Sequence, residues 1–308
     1  MAEITAAAVK ALRESSGAGM MDCKKALTEN DGDMEAAQDW LRTKGLAAAA
    51  KKAGRIAAEG LVGVTAGDGV AAIAEVNSET DFVARNDAFQ AFVSSVTGLA
   101  LAADGDQDAA LASAFPGGEG TLADEATKMI GTIGENIQIR RMAALKADPG
   151  VVATYMHNAT GPDLGKIGVL VALQSTGDKD KLIALGKQIA MHVAATKPQS
   201  LTVDDLDPAA VEKERVFLVD QAKESGKTEE IAQKMVEGRI RKWYSEVVLT
   251  EQTFVIDNET KIGDVVKNAA ADIGAAVELV GFCRFEIGEG IEKKEEDFAA
   301  EVAAQIGG

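Results

Sequence analysis

A strand–turn–strand–helix pattern occurs twice in this chain, and that recurrence narrows the fold more than any other feature. The first copy is "GLVGVTAGDGVAAIAEV", residues 60–76, where "GDG" separates two apolar runs as a hairpin turn does. Phe89, Phe92, Val93 and Val96 follow at helical spacing. The second copy begins at residue 150 with "GVVATYMHNATGPDLGKIGVLVALQS", two apolar runs around a glycine-containing turn. Leu182, Leu185, Ile189 and Val193 mark the helix after it. Pairing Ser78 with Ser175 sets Phe92 opposite Ile189 and Val96 opposite Val193. "AAVELVGFCRFEIG" reads as a last strand that completes the second sheet. The expected fold class is α+β, a duplicated core with antiparallel sheets, its halves at 56–148 and at 149–198 plus 247–287.

Three further modules surround that core. Residues 1–55 read as a three-helix, ubiquitin-associated-like module and linker. Thr5, Asp22 and Asp33 are its expected caps, and Gly45 is the expected end of its third helix. Residues 199–246 interrupt the second half as an αα-hairpin that starts at Pro208 and returns from a Thr228 cap. Ile231, Met235, Ile240 and Trp243 are the better apolar positions of its return helix. The stripe is thin, so the hairpin is expected to project and meet a partner, a second copy of the chain being one candidate. The last segment, 288–308, reads as an amphipathic helix with Phe298, Val302 and Ile306 in line.

The chemistry of the sequence favours binding over catalysis. A net charge of −17 over 308 residues argues against gripping nucleic acid through its phosphates. Cys23 and Cys283 lie far apart and fit no metal spacing, which suits a reduced, cytoplasmic chain. Neither a secretory signal nor a run of about 18 apolar residues is present in the sequence, so no membrane contact is expected. "GPDLGKIG" is one residue short of a phosphate loop, and Ile167 stands where the magnesium-binding hydroxyl belongs. "GDGVAA" precedes a strand where a dinucleotide fingerprint would open a helix. His192 falls on an apolar helix face and reads as a core histidine. No catalytic residue, metal ligand or cofactor is therefore expected.

What remains is a set of misplaced apolar side chains. Met20 and Met21 stand in the loop "GAGMMD", where filling a small core and touching a partner are equally good readings. Phe82 stands in the polar run "SETDFVARN", at a turn whose second copy carries Asp178-Lys179 in place of Asp81-Phe82. The scaffold thus has no need of an aromatic there, although phenylalanine in general is more often buried.

At these residues the chain resembles the bacterial elongation factor Ts family. "LRESSGAGMMDCKKAL" (12–27) and "EVNSETDFVAR" (75–85) are similar to its two signature segments. "IGENIQIRR", "AMHVAATKP", "KMVEGRI" and "IEKKEEDFAAEVAAQ" resemble further family segments, in order along the chain. The resemblance implies a guanine-nucleotide exchange factor for elongation factor Tu, with no active site of its own. It implies that Thr80, Asp81, Phe82 and Val83 form a wedge near the partner's magnesium and phosphate site. Met20, Met21, Ile133 and Gly134 would make further contacts with the same GTPase domain, and His157 with a second domain of that partner. The αα-hairpin would be the coiled-coil insertion associated with dimer contacts in some members, and the last helix would return to the GTPase domain. "HNATGPDLG" and "GDQDAALASAFPGGEG" depart from the family pattern. A scaffold that binds loaded and empty partner equally and a nucleotide hydrolase are the competing readings.

Overall fold

A computed structural model describes residues 4–16, 18–224 and 229–292. Thr228 and the expected C-terminal helix positions Phe298, Val302 and Ile306 lie outside them. The chain opens with three helices, α1 (Ala6–Ser16), α2 (Met20–Glu29) and α3 (Met34–Lys52), closed around Leu12, Cys23, Ala26, Leu27 and Ala37. Thr5 Oγ1 accepts from the Ala8 amide at 3.2 Å, and Asp33 Oδ1 from the Ala36 amide at 2.9 Å, as the sequence led us to expect. Asp22 is no cap. Helix α2 begins earlier, at Met20 after Gly19, and Asp22 lies in its first turn, where a carboxylate meets the positive end of the helix dipole.

Gly45 does not end α3 either. The helix runs on through the alanine-rich stretch to Lys52, and Gly45 lies where it crosses the helix Leu122–Ile133. A Cβ added at Gly131 would stand 3.5 Å from the Gly45 Cα, so bare backbone on both sides permits the close crossing. Ala49 then packs into the core of the first half.

That half contains β1 (Glu59–Ala66), β2 (Val70–Ser78), α4 (Asp87–Ala102), α5 (Gln107–Ala112), α6 (Leu122–Ile133) and β3 (Gln138–Lys146). The second contains β4 (Gly150–His157), β5 (Leu164–Gly165), β6 (Ile167–Gln174) and α7 (Lys179–Thr196). The inserted α8 (Pro208–Glu224) and α9 (Glu229–Val247) follow, then α10 (Ile262–Ile273) and β7 (Glu278–Glu286). Strand orders are β3-β2-β1-β5 and β4-β6-β7, all antiparallel. The duplication runs deeper than the hairpin and helix. Helices α6 and α10 each end on a left-handed glycine, Gly134 at φ 86° and Gly274 at φ 84°. The pairings of β2 with β3 and of β6 with β7 shift register at Glu75/Val76 and at Ala172/Leu173, equivalent places in the two copies.

The connection 158–166 is more than a turn. Leu164 and Gly165 pair with Gly63 and Val62, which adds β5 to the edge of the other sheet and ties the halves together. The sheets stack face to face through Val62, Val64, Ile73, Val152, Leu170 and Phe285. Helix α4 covers the outer face of one sheet and α7 with α10 that of the other. Both faces of β1 and β2 are therefore buried, which explains their near-continuous apolar runs.

Glu75 is the exception, a fully buried carboxylate in β2. Its Oε1 accepts from Arg140 Nη1 at 3.0 Å, Asn77 Nδ2 at 3.1 Å and the Gly288 amide at 2.8 Å. Its Oε2 accepts from Arg141 Nε at 2.5 Å. Arg141 Nη2 also donates to the Glu286 carbonyl at 3.2 Å, so the carboxylate joins β2, β3 and the chain leaving β7.

The inserted hairpin closes on Leu218, Val236 and Ile240. Of the positions read from sequence only Ile240 is buried. Val236, one place beyond Met235, takes the central position, while Ile231, Val216 and Phe217 stay exposed. His192 is a core histidine as expected. Its Nδ1 accepts from the Val255 amide at 3.3 Å, which leaves Nε2–H to donate to Gln252 Oε1 at 2.9 Å. Burial pushes its pKa below the ordinary 6.5, against the opposing Gln252 bond. A lowered folded-state value means that the unfolded chain takes up the proton first. This group's contribution is therefore complete above pH 6.5 and is lost as the pH falls from there through the folded-state value. Urea unfolding between pH 8 and 5 should show a falling midpoint below pH 6.5, and His192→Gln should flatten that fall.

Candidate partner-binding site

At the end of β2 the chain leaves the sheet and makes a short excursion before α4. Ser78 Oγ donates to the Thr80 carbonyl at 3.0 Å, which starts the turn. A single 3-10 turn, Val83–Arg85, follows, and Asn86 Oδ1 then caps α4 by accepting from the amides of Ala88 and Phe89 at 2.9 and 3.1 Å. Val83 and Ala84 are buried in the first core and anchor the excursion from below. Gln90 Nε2 holds it from the helix side, donating to the Ala84 carbonyl at 2.9 Å. Asp81 and Phe82 form the tip, and Phe82 is 75% exposed.

The α6–β3 turn braces this tip from the other side. Glu135 Oε2 accepts from the Thr80 amide at 2.9 Å and Oε1 from the Thr80 hydroxyl at 2.6 Å. In return Glu79 Oε1 accepts from the Asn136 amide at 2.6 Å. Asn136 Nδ2 reaches the Arg55 carbonyl at 2.8 Å, and Arg55 Nη1 lies 3.5 Å from Glu79 Oε1. Three segments distant in sequence, the tail of α3, the end of β2 and the start of β3, thus meet around one loop.

The structure brings Thr80, Asp81, Phe82, Ile133 and Gly134 together through this clamp, with Ile133 half-buried against the first core and Gly134 exposed at the helix end. Val83 belongs under the tip rather than on it. Met20 and Met21, 59% and 75% exposed, lie on the first turn of α2 in the N-terminal module and do not fill its core. His157 sits exposed at the end of β4, its Nδ1 3.0 Å from the Tyr155 hydroxyl. The sequence reading missed Glu79, Glu135, Asn136 and Arg55. One signal was available for two of them: pairing Gly134 with Gly274 sets Glu135 and Asn136 opposite Ala275 and Ala276, a polar pair present in one copy only.

Among the described residues no group of three or more His, Cys, Asp or Glu could hold a metal ion, and no helix is long and apolar enough to cross a membrane. An exposed ring on a loop held by charge-assisted hydrogen bonds has the geometry of a docking surface for another macromolecule. The comparisons with known proteins specify this further. A model of the family described as Elongation factor TS matches residues 79–289. The chain is 63% identical over 307 residues to the elongation factor Ts of Rhodospirillum rubrum, covering 99% of each chain. It is 62% identical to that of Rhodospirillum centenum and 59% identical to that of Parvibaculum lavamentivorans, in both cases over 100% of each chain. The chain belongs to the elongation factor Ts family and has an elongation factor's role in protein biosynthesis.

The cap of α4 sets where the excursion ends. Asn86→Ala should lower global stability by about 1 kcal/mol, the usual cost of removing a side-chain N-cap, as a downward shift of the urea midpoint at unchanged slope. A loss indistinguishable from zero would mean that the cap contributes nothing to holding the loop.

Proposed function

We propose that this chain is a guanine-nucleotide exchange factor that binds elongation factor Tu·GDP and promotes release of GDP. The observation that carries this reading is Phe82, three-quarters exposed at the tip of a loop whose backbone is fastened on both sides. A GTPase holds its nucleotide through a phosphate-cradling loop and a bound magnesium ion. An apolar ring entering beside that site, with the Asp81 carboxylate next to it in sequence, would disturb both without any bond being made or broken. In this reading the factor has no catalytic site and needs no cofactor. Thr80 and Val83 hold the wedge, Ile133 and Gly134 flank it, and Met20 and Met21 contact the same GTPase domain. His157, on the other half of the molecule, faces a second domain of the partner. The setting is the cytoplasm.

Magnitudes say why several contacts are required. A factor that moves a partner from mostly GDP-bound to mostly empty must prefer the empty state by about 10⁴-fold, roughly 5.5 kcal/mol. Burying one phenylalanine supplies only about 1.5–3 kcal/mol. The wedge must therefore act with anchors spread over separate modules, and the exposed Met20, Met21 and His157 are the candidates for them in this reading.

Stopped-flow release of a fluorescent GDP analogue from elongation factor Tu tests the proposal. The wild-type chain should accelerate release strongly. Phe82→Ala should accelerate it far less, with an unchanged melting temperature because the ring contributes little to the core. Equal acceleration by the two proteins would remove Phe82 from the mechanism, and no acceleration by either would remove the exchange function.

A further inference from the structure

We propose that Glu135 is a positioning residue for the Phe82 tip, acting through Thr80; the proposal rests on the exchange-factor reading above. The carboxylate takes both donors of one residue, the amide and the hydroxyl of Thr80, at 2.9 and 2.6 Å. Thr80 is two residues from Phe82 in sequence, so fixing its backbone and χ1 together fixes the direction in which the chain enters the tip. The Glu79–Asn136 bond at 2.6 Å runs the opposite way across the same gap and stops the two segments from sliding past each other.

The second copy supplies the contrast. At the positions of Thr80 and Glu135 it has Gly177 and Ala275, and it makes no excursion. There the Gly177 amide donates to Ser175 Oγ at 3.1 Å, and Asp178 caps α7 directly by accepting from the Asp180 and Lys181 amides. The same supersecondary unit therefore closes without a carboxylate on the turn before its last strand. In the second copy the corresponding segments are tied differently, by the Asp178 amide to the Ile273 carbonyl at 3.1 Å and by Lys181 Nζ to Asp272 at the end of α10. At this turn only the copy with the exposed tip carries a carboxylate that takes both donors of one residue. The purpose of that carboxylate is then to hold the tip, since the fold of the half does not demand it.

The physical benefit is preorganisation. A loop that wanders over many conformations loses that freedom on docking, and the loss subtracts from affinity. A loop already held by two charge-assisted bonds has little left to lose. The same carboxylate follows Gly134 in the chain, so the end of α6 is held in register with the turn that carries the ring.

The test is a double-mutant cycle on the full chain, read by release of the GDP analogue from elongation factor Tu. Glu135→Ala should slow exchange on the order of tenfold when Phe82 is present, the scale of losing one charge-assisted bond. In the Phe82→Ala background it should cost less than about twofold, because a positioning residue has nothing left to position. Thr80→Ser, which keeps both donors, should lose far less exchange activity than Thr80→Val, which keeps only the amide. This pair carries the test if Glu135→Ala fails to fold. Equal losses in the two backgrounds, or no loss with Phe82 present, would overturn the proposal. If Phe82→Ala is impaired and Glu135→Ala is not, positioning alone fails. If Phe82→Ala itself exchanges normally, the wedge reading fails and this proposal falls with it.

Discussion

A carboxylate buried to zero exposure holds the two halves of this molecule to one another. Glu75 can occupy the middle of a strand because donors reach it from three directions: Asn77 on its own strand, Arg140 and Arg141 on β3, and the Gly288 amide beyond β7. Removing one partner of such a cluster leaves an uncompensated charge in the interior, which is far costlier than never having built it. Arg284, almost fully buried, extends the cluster to Glu286 and Glu289. One side chain thus links the β2–β3 pairing to the path of the chain out of the second sheet. The loop that carries Phe82 starts where β2 ends, so the site inherits its rigidity from that register.

The stacking of the two sheets explains why much of this architecture could be read from residues alone. Strands covered on both faces need apolar side chains at almost every position, and helices covering one face need them only every third or fourth. Residues 60–76 and 150–175 and their following helices carry those two signatures unmistakably. What could not be read follows from tertiary context. Gly45 resembles a helix end, but the crossing with Gly131 turns the same small residue into a packing surface. The stretch "HNATGPDLG" resembles an ordinary connection, and only the free edge of β1 gives Leu164 and Gly165 a partner. In the hairpin, the choice between Met235 and Val236 is set by how α8 meets α9, which one helix's own periodicity does not reveal.

The candidate site shows the same division. Phe82 was conspicuous because it breaks a polar run and has no counterpart in the second copy. The clamp beneath it was not, since Glu135 and Thr80 are 55 positions apart and each is unremarkable where it stands. An apolar tip announces itself by being in the wrong chemical company. The polar residues that aim it look like any others until the fold brings them into contact, and comparing the two copies is the sequence operation that would have exposed them.

An exchange factor with a braced site prefers the nucleotide-free state of its partner, and thermodynamic linkage makes that preference directly measurable. Whatever GDP loses in affinity when this chain binds, the chain must lose when GDP binds. The measurement is the apparent Kd between the chain and elongation factor Tu, followed by calorimetry over a series of GDP concentrations at fixed magnesium. The account predicts an apparent Kd that climbs with GDP until it levels off at the affinity for the loaded partner. A Kd that stays the same from zero to saturating GDP would contradict it, and would leave a protein that binds its partner without regard to what the partner holds.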